Sequence, residues 1–158
     1  MPEFKPPRPG EVSIALPETP DAGLHFIGRI RSAYPTPAEC PKNTIDRTEP
    51  ATIEVDPPFD AGLDGIEGFS HLIALYWLDR SRRDLVVQHP SHRPAPTGVF
   101  ALRSPVRPNP IGLAVVEVLA REGNKIRIGA IDCADGTPLL DLKPYLASSD
   151  SVPEARRP

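Results

Sequence analysis

The chain has 158 residues, 39% of them hydrophobic and 25% charged, which suits one domain that buries roughly 70% of its unfolded surface. Its net charge of −3 at pH 7 excludes a protein that binds nucleic acid through overall positive charge. The 22 prolines argue against a helical bundle and favour short strands joined by shaped loops.

In chain order, the first predicted feature is a proline-rich arm over residues 1–22 with little apolar periodicity. We expect this arm to be extended and either disordered or packed on a partner. Strands are predicted for residues 24–31 and 51–55, and Pro57 ends the second of them. Residues 60–69 contain three glycines and are predicted to form a short turn or a helical turn.

The next predicted element is the apolar run His71–Leu78, which suits a strand buried on both faces, although its periodicity also permits a helix. Further strands are predicted at Gly98–Leu102, Leu113–Leu119 and Ile126–Ile131. This spacing predicts a mainly β, single-domain barrel or mixed sheet with short helical segments over residues 23–147, then a tail at 148–158. Neither GxGxxG nor GxxxxGK[ST] occurs, so no Rossmann or P-loop signature is present.

Two proline-laced segments indicate a functional site. Gly98–Gly112 (GVFALRSPVRPNPIG) and Asp135–Tyr145 (DGTPLLDLKPY) hold charged and polar side chains among prolines and glycines. Such a mixture is a poor strand or helix, so we expect two rigid loops at the ends of apolar runs.

A basic stretch accompanies the first of these segments. Residues 79–107 hold six arginines against two aspartates. This local excess of positive charge favours an anionic ligand, and the alternative is a solvated basic face.

Other candidate chemistries are weaker. His89 and His92 form an HxxH pair broken by proline, and no third ligand lies near, so we expect exposed loop histidines and no metal. Ser104 lacks a nucleophile elbow. Cys40 and Cys133 match no zinc spacing, and Cys133 is expected to be a buried, inert thiol. With no signal segment and no membrane-spanning run, a reduced cytoplasmic setting is predicted.

Four segments together resemble the TrmO family, also called TsaA-like or YaeB-like. They are Ile27–Ser32 (IGRIRS), Gly68–Leu72 (GFSHL), Gly98–Gly112 and Asp135–Tyr145. The resemblance implies an S-adenosylmethionine-dependent methyltransferase with a β-barrel in place of a Rossmann fold, working as a homodimer. Its implied substrate is N6-threonylcarbamoyladenosine beside the tRNA anticodon, methylated on N6.

The resemblance also implies a set of cofactor-binding residues. The family's Pro-Arg-Gln segment falls on Pro41-Lys42-Asn43, and its His-Gln pair falls on Asp79-Arg80, which is a departure. The remaining cofactor positions are Arg103, Leu113, Asp135, Gly136, Thr137 and Pro138. We expect Arg103 to bind a carboxylate or ribose, and backbone groups of Asp135–Pro138 to meet the adenine or the sulfonium.

Residue types suggest further roles in catalysis and RNA binding. Asp132 or Asp141 is the candidate base for the proton that N6 loses, with Lys143 and Tyr145 orienting the modified base. The candidate nucleic-acid contacts are Arg82, Arg83, Arg107 and Asn109.

A competing hypothesis is a non-catalytic S-adenosylmethionine- or RNA-binding module of the same fold. One support for it is the departure from the family pattern at Asp79-Arg80. The other is that longer members carry a C-terminal extension after their KPY motif, whereas this sequence ends at Pro158. In the enzyme hypothesis, the compact form binds tRNA through the barrel and the arginine-rich stretch, or the substrate differs.

Overall fold

A computed structural model describes residues 4–157 and divides the chain into two compact units. The first unit combines the N-terminal residues to His25 with Trp77–Gly112, and the second combines Phe26–Tyr76 with the residues from Leu113 onward. Strands are the main regular structure, and the prediction of a mainly β protein with short helical segments is confirmed.

The strands and helices have the following bounds. The strands are β1 (Val12–Ser13), β2 (Gly28–Arg31), β3 (Ala51–Val55), β4 (His71–Trp77), β5 (Leu85–Gln88), β6 (Thr97–Gly98), β7 (Ile111–Glu122), β8 (Lys125–Ile128) and β9 (Thr137–Pro144). Short 3-10 turns cover Pro37–Glu39, Phe59–Leu63, Ile66–Gly68 and Val99–Ala101, and one short α-helix, α1, covers Ala147–Asp150.

The second unit contains a closed barrel of six strands in the order β2-β3-β8-β7-β4-β9, with β9 also paired to β2. Inward-facing side chains alternate with outward-facing ones along each strand, as the pleat requires. Its interior includes five completely buried side chains: Ile30, Ile53, Ile126, Ile128 and Leu139. Burying each of these side chains contributes about 1.5–3 kcal/mol to stability. The interior therefore holds in place the strands that carry the outward-facing residues.

Strand β2 lies unusually close to β3 at Gly28. A Cβ atom added to Gly28 would stand 2.0 Å from the backbone oxygen of Glu54, a separation that no side chain tolerates. Gly28 pairs with Val55 and also with Leu139 of β9, so the glycine lies where three strands meet. The close approach therefore depends on the missing side chain.

Strand β4 differs from its prediction in burial. Leu72, Ala74 and Tyr76 are buried, whereas His71, Ile73 and the other alternating residues are only half-buried. The continuous apolar run therefore has one face in the barrel core and one on the barrel's outer surface. The prediction of burial on both faces is wrong because β4 is a strand of an antiparallel barrel, whose alternate residues face outward and are only partly covered.

The first unit contains a three-stranded sheet in the order β1-β5-β6. Arg82 ties the N-terminal segment to it, because its guanidinium donates to the Lys5 carbonyl (2.8 Å) and lies 5.9 Å from the Phe4 ring centroid. Ile14 donates its backbone N–H to the Asp84 carbonyl at 2.7 Å. The arm that we expected to be disordered or partner-bound therefore makes contacts within its own chain over residues 4–14.

Other elements also differ from the predictions. The first proline-laced segment is largely a loop. Within Gly98–Leu102, the two-residue strand β6 ends at Gly98 and a 3-10 turn covers Val99–Ala101, so the strand predicted there is wrong. The second segment is mostly strand β9, paired along both edges, so the expectation of a loop is wrong there. Strands β1 and β5 had no prediction, and the strand predicted for residues 24–31 is confined to Gly28–Arg31.

Candidate functional site

Three of the four candidate catalytic residues lie together on the outside of the barrel. Asp141 and Lys143 alternate along β9, so both side chains face outward, and the Lys143 Nζ lies 2.7 Å from the Asp141 Oδ2. Asp141 pairs with Leu75 of β4, and Lys143 pairs with Ile73. Tyr145 follows in the same alternation, so this part of the barrel presents a carboxylate, an ammonium and a phenol on one surface.

Tyr145 is held against β4 through His71. Its backbone N–H donates to the His71 carbonyl at 3.1 Å, and the two rings meet edge to face with centroids 6.5 Å apart. The His71 Nδ1 lies 2.9 Å from the Ser70 hydroxyl. The phenol and the imidazole are thereby fixed next to each other.

Strand β7 continues this surface with apolar side chains. Leu113, Val115 and Leu119 face outward and are 44–49% exposed, whereas Val116 is buried. The Val118 N–H donates to the Ser70 carbonyl at 2.8 Å and joins β7 to the start of β4. We call the outward-facing side chains of β4, β7 and β9 the outer wall; it includes Leu113, a predicted cofactor contact.

The fourth candidate catalytic residue, Asp132, has a structural partner. Its Oδ1 accepts a 2.7 Å hydrogen bond from the hydroxyl of Tyr76, whose side chain is buried in the barrel. A buried hydroxyl without a partner costs about 1–3 kcal/mol, so Asp132 stabilises the barrel interior. Asp141, on the outer wall, is therefore the better placed of the two candidate bases.

The segment Asp135–Pro138 forms a turn whose backbone amides are already used. Asp135 N–H donates to the Tyr34 carbonyl, Gly136 N–H to the Ile30 carbonyl and Thr137 N–H to the Ala134 carbonyl. Gly136 adopts a φ of 78°, which favours glycine at this turn. A ligand at this turn would therefore meet backbone carbonyls and the 44% exposed Asp135 side chain, and the contact of these backbone groups with the cofactor stays a prediction.

Two arginines of β2 flank this turn and were not singled out from the sequence. Arg29 donates to the Gly136 carbonyl at 2.9 Å, and the Arg31 Nη1 lies 3.9 Å from the Asp135 Oδ2. Arg31 also donates to Glu54 at 3.0 Å, and this hydrogen bond lowers the pKa of the Glu54 carboxyl and raises the pKa of Arg31. The strand's alternation, with Ile30 inward, is the sequence signal for arginines on its outer face.

The residues near this turn fit a polar ligand such as S-adenosylmethionine. The Tyr34 hydroxyl is buried and has no hydrogen-bond partner among residues 4–157, while the Tyr34 carbonyl accepts from Asp135. A buried hydroxyl of this kind calls for an additional partner. Arg29 and the Asp135 carboxylate add charges of both signs, matching the carboxylate and the positive sulfur of the cofactor.

The predicted segment Pro41-Lys42-Asn43 lies in the second unit, in a loop before β3. Pro41 is half-buried, whereas Lys42 and Asn43 are exposed. The Asn43 Oδ1 accepts the Ile45 N–H at 3.0 Å, so this side chain shapes the loop. Lys42 is the side chain of this segment that a ligand would meet.

The other predicted cofactor residues belong to the first unit. Asp79 and Arg80 follow β4 in an exposed turn, where the Asp79 N–H donates to the Trp77 carbonyl at 2.9 Å. Arg103 is exposed within the loop of the first proline-laced segment. The predicted cofactor set is thus divided between two units, and its assembly into one site stays a prediction.

Two of the four predicted nucleic-acid contacts are used inside their unit. Arg82 binds both carboxylate oxygens of Asp84 at 2.8 and 2.7 Å, and these hydrogen bonds lower the pKa of Asp84. Arg107 donates to the carbonyls of Val99, Leu102 and Ser104 at 3.1, 2.5 and 2.9 Å. Both guanidiniums stabilise loops, because their donors are directed to protein oxygens.

The other two predicted nucleic-acid contacts lie together at the surface. Arg83 and Asn109 are exposed, and the Arg83 Nη2 lies 3.4 Å from the Asn109 Oδ1. Arg83 also donates to the Pro108 carbonyl at 2.7 Å and lies 5.2 Å from the centroid of the Trp77 ring. A cation held over an aromatic ring is oriented but still open to a phosphate or base edge.

Phe100 is a candidate that the sequence analysis missed. It is 83% exposed on the 3-10 turn Val99–Ala101, while its neighbour Val99 is completely buried. Arg107 holds the carbonyls on both sides of it, those of Val99 and Leu102. The Phe100 ring is therefore exposed on a turn that Arg107 holds in place. Only the placement of Phe100 in this 3-10 turn distinguishes it from a core residue.

Within residues 4–157, no group of three or more His, Cys, Asp or Glu side chains is arranged to hold a metal ion. In the same range, every helix is too short or too polar to cross a membrane.

Comparison with known proteins assigns the chain to a class. The family model described as tRNA-methyltransferase O N-terminal domain matches residues 29–151. The chain belongs to this family, and the resemblance to the TrmO family is confirmed.

Individual relatives agree with this assignment. A Rhizobium radiobacter protein, named probable S-adenosyl-L-methionine-binding protein VirR, is 41% identical over 95% of this chain and 86% of its own length. The Escherichia coli (strain K12) tRNA (adenine(37)-N6)-methyltransferase is 34% identical over 82% of this chain and 60% of its own length.

A solved structure has the same fold. The crystal structure of TrmO from Pseudomonas aeruginosa superposes with a TM-score of 0.70 at 34% identity, covering 85% of this chain and 60% of that one. The chain therefore spans about 60% of the Escherichia coli and Pseudomonas aeruginosa proteins and most of the VirR relative.

Proposed function

We propose that this chain binds S-adenosylmethionine and transfers its methyl group to N6 of threonylcarbamoyladenosine beside a tRNA anticodon. The strongest support is the outer wall, where Leu113 of the predicted cofactor set shares one surface with Asp141, Lys143 and Tyr145. The named activity of the Escherichia coli relative and the matched family domain support the reaction class. The barrel serves as the non-Rossmann scaffold of this reaction.

In this proposal the chain acts mainly by positioning. When bound, S-adenosylmethionine supplies a methyl group on a positively charged sulfur. Asp141 accepts the proton that N6 loses as the N6–methyl bond forms and the methyl–sulfur bond breaks. Lys143, 2.7 Å from Asp141, holds the carboxylate in place, and the Tyr145 phenol orients the base. Alignment of the reacting atoms supplies most of the acceleration.

The proposed cofactor contacts centre on the Asp135 turn. Arg29 meets the amino-acid carboxylate, the Asp135 carboxylate faces the positive sulfur or the ribose hydroxyls, and the Tyr34 hydroxyl gains the hydrogen bond it lacks. Lys42 is the further contact within this unit that the family resemblance implies, and Arg103, in the first unit, stays a predicted cofactor residue.

The proposed RNA contacts lie in the first unit. Arg83 and Asn109 meet phosphate or a base edge, and Phe100 stacks on an unpaired base. Stacking of a base on an aromatic side chain is worth about 1–3 kcal/mol and tolerates any sequence. An anticodon loop offers unpaired bases of this kind.

The test is methyl transfer from labelled cofactor to tRNA with and without the threonylcarbamoyl group. We expect label only in the modified tRNA, and loss of transfer in Asp141→Asn with cofactor binding retained in calorimetry. Glu154→Gln, an exposed carboxylate in the C-terminal segment, serves as the matched control and should transfer normally. Label in another RNA with none in this tRNA would overturn the substrate, and unchanged transfer in Asp141→Asn would remove Asp141 as the base.

A non-catalytic S-adenosylmethionine-binding module is the second candidate. The observation that favours it is Asp79-Arg80 at the position of the family's His-Gln pair. Single-turnover reactions with excess protein distinguish the two, because a binding module would hold cofactor without labelling any RNA. The homodimer stays a prediction, and analytical ultracentrifugation with and without cofactor would test it.

A further inference from the structure

A groove on the outer wall has no part in the chemistry proposed above. Its volume is about 410 Å³, within the range of about 300–1,000 Å³ that small-molecule sites occupy. The groove is lined by Thr44, Arg47 and Thr48 of one loop and by residues that include His71 of β4 and Val115 of β7. All of these residues belong to the second unit.

The groove collects polar groups that the protein itself does not use. Within residues 4–157, no ion pair or side-chain hydrogen bond engages Arg47, and the hydroxyls of Thr44 and Thr48 are likewise without a bonded partner. Glu117 also lines the groove and can accept a hydrogen bond. Val115, 44% exposed, supplies an apolar floor. A guanidinium beside hydroxyls matches a carboxylate, and Glu117 matches an N–H or O–H of the same ligand.

Two residues that line the groove adjoin segments that the proposed reaction requires. The predicted cofactor segment Pro41–Asn43 continues directly into Thr44, at the loop side of the groove. The carbonyl of His71, another lining residue, accepts from the Tyr145 N–H at 3.1 Å, next to the proposed catalytic residues of β9. A group bound here would belong to the acceptor that is methylated between these segments.

We propose that this groove binds the carboxylate-bearing substituent on N6 of the acceptor base, with Arg47 meeting the carboxylate. The proposal rests on the proposed function, because it assigns the acceptor's charged substituent a place beside the reacting nitrogen. Thr44 and Thr48 add hydrogen bonds to that carboxylate, and Glu117 accepts from the amide or hydroxyl of the substituent. The groove thus selects a modified adenine over an unmodified one.

The test compares two fluorescent anticodon stem-loops, one with the free threonylcarbamoyl carboxylate and one with that carboxylate as a neutral methylamide. Binding is measured by anisotropy without turnover. We expect the wild-type protein to bind the acid at least about tenfold more tightly than the amide, a difference of about 1.4 kcal/mol. Arg47→Ala should lose this preference, Arg47→Lys should keep part of it, and the exposed tail variant Arg156→Ala should keep all of it.

Four outcomes would overturn the proposal. They are equal weakening of both stem-loops in Arg47→Ala, absence of any preference in the wild type, loss of S-adenosylmethionine affinity in Arg47→Ala, and a changed oligomeric state of Arg47→Ala without RNA. The last two would assign the groove to the cofactor or to a second copy. Binding is measured without turnover, so the two proposals can fail separately. If the wild-type protein prefers the acid but transfers no methyl group, only the proposed function is wrong. If it transfers the methyl group without preferring the acid, only the proposal for the groove is wrong.

Discussion

Arg107→Ala distinguishes a structural arginine from an RNA-binding one. The Arg107 guanidinium donates three hydrogen bonds, to the carbonyls of Val99, Leu102 and Ser104. Hydrogen bonds to a charged group contribute about 1.5–3 kcal/mol each, but three bonds from one side chain do not add fully. We therefore expect the variant to lower the local stability of this loop by about 2–4 kcal/mol.

Hydrogen exchange measures this loss locally. The Leu102 N–H donates to the Val99 carbonyl at 3.1 Å, so its exchange reports opening of the turn. At about 1.4 kcal/mol per tenfold, its exchange should accelerate about 30-fold or more in Arg107→Ala. Arg93→Ala, an exposed arginine in the same unit, is the matched control and should leave this amide unchanged. Arg107→Lys should recover only part of the protection, because an ammonium cannot reach the three carbonyls as a planar fork does.

The contrary result would be specific. If Leu102 kept its protection in Arg107→Ala while tRNA affinity fell, Arg107 would contact RNA directly and the loop would be held by other groups. If both protection and tRNA affinity fell, a salt titration would separate the effects. Loss of a direct phosphate contact reduces the salt slope by about one unit, whereas loosening of the loop leaves the slope unchanged.

Four further experiments test separate parts of the structure. Gly28→Ala should destabilise the fold by about 3 kcal/mol or more in urea unfolding, because its Cβ would stand 2.0 Å from the Glu54 carbonyl oxygen, and an unchanged midpoint would refute that close approach. Glu54→Gln should lower the free energy of unfolding by about 1 kcal/mol at neutral pH. Arg31 lowers the pKa of Glu54, so this loss of stability should vanish as the pH falls through the pKa of Glu54 in the folded protein. A loss of stability that persists in acid would refute the ion pair. Burial raises the pKa of Cys133 to about 12, so iodoacetamide at about pH 8 should label Cys40 before Cys133 in the folded protein and both after unfolding; equal labelling in the folded protein would refute the burial. Phe100→Ala should weaken tRNA binding about fivefold or more without lowering thermal stability, and unchanged affinity would exclude stacking.

The sequence predicts a strand well where local pattern and tertiary pairing agree. Ala51–Val55 alternates buried and half-buried residues and is followed by prolines, and β3 has these bounds. Strand β9 shows the opposite case. Its prolines, aspartate and lysine disfavour a strand locally, yet β2 and β4 pair with it on both edges. Pairing with distant strands overrides local propensity, and a single sequence does not contain that information.

In the candidate site as well, the sequence shows the type of each side chain but not its hydrogen-bond partner. The sequence identifies arginines as cations, but it does not reveal that Arg82 and Arg107 donate to nearby carboxylate and carbonyl oxygens. Arg29 received no role because nothing local links it to Gly136, which is 107 positions away. Residue types therefore predict which chemistry is available, and long-range contacts decide which side chains remain for a ligand.

The two candidate bases illustrate why the choice needs the fold. Asp132 and Asp141 are equivalent by type, and both lie near the second proline-laced segment. Asp132 accepts a hydrogen bond from the hydroxyl of Tyr76, a residue of β4 that lies 56 positions earlier in the chain. Asp141 lies beside Lys143 on the outer face of β9, because alternate residues of the strand face outward. Asp132→Asn should therefore lower stability more than methyl transfer, because the charged acceptor of the Tyr76 hydroxyl is replaced by a weaker, neutral one. If Asp132→Asn abolished transfer at unchanged stability, the base would be Asp132, and the proposed role of the outer wall would be limited to binding.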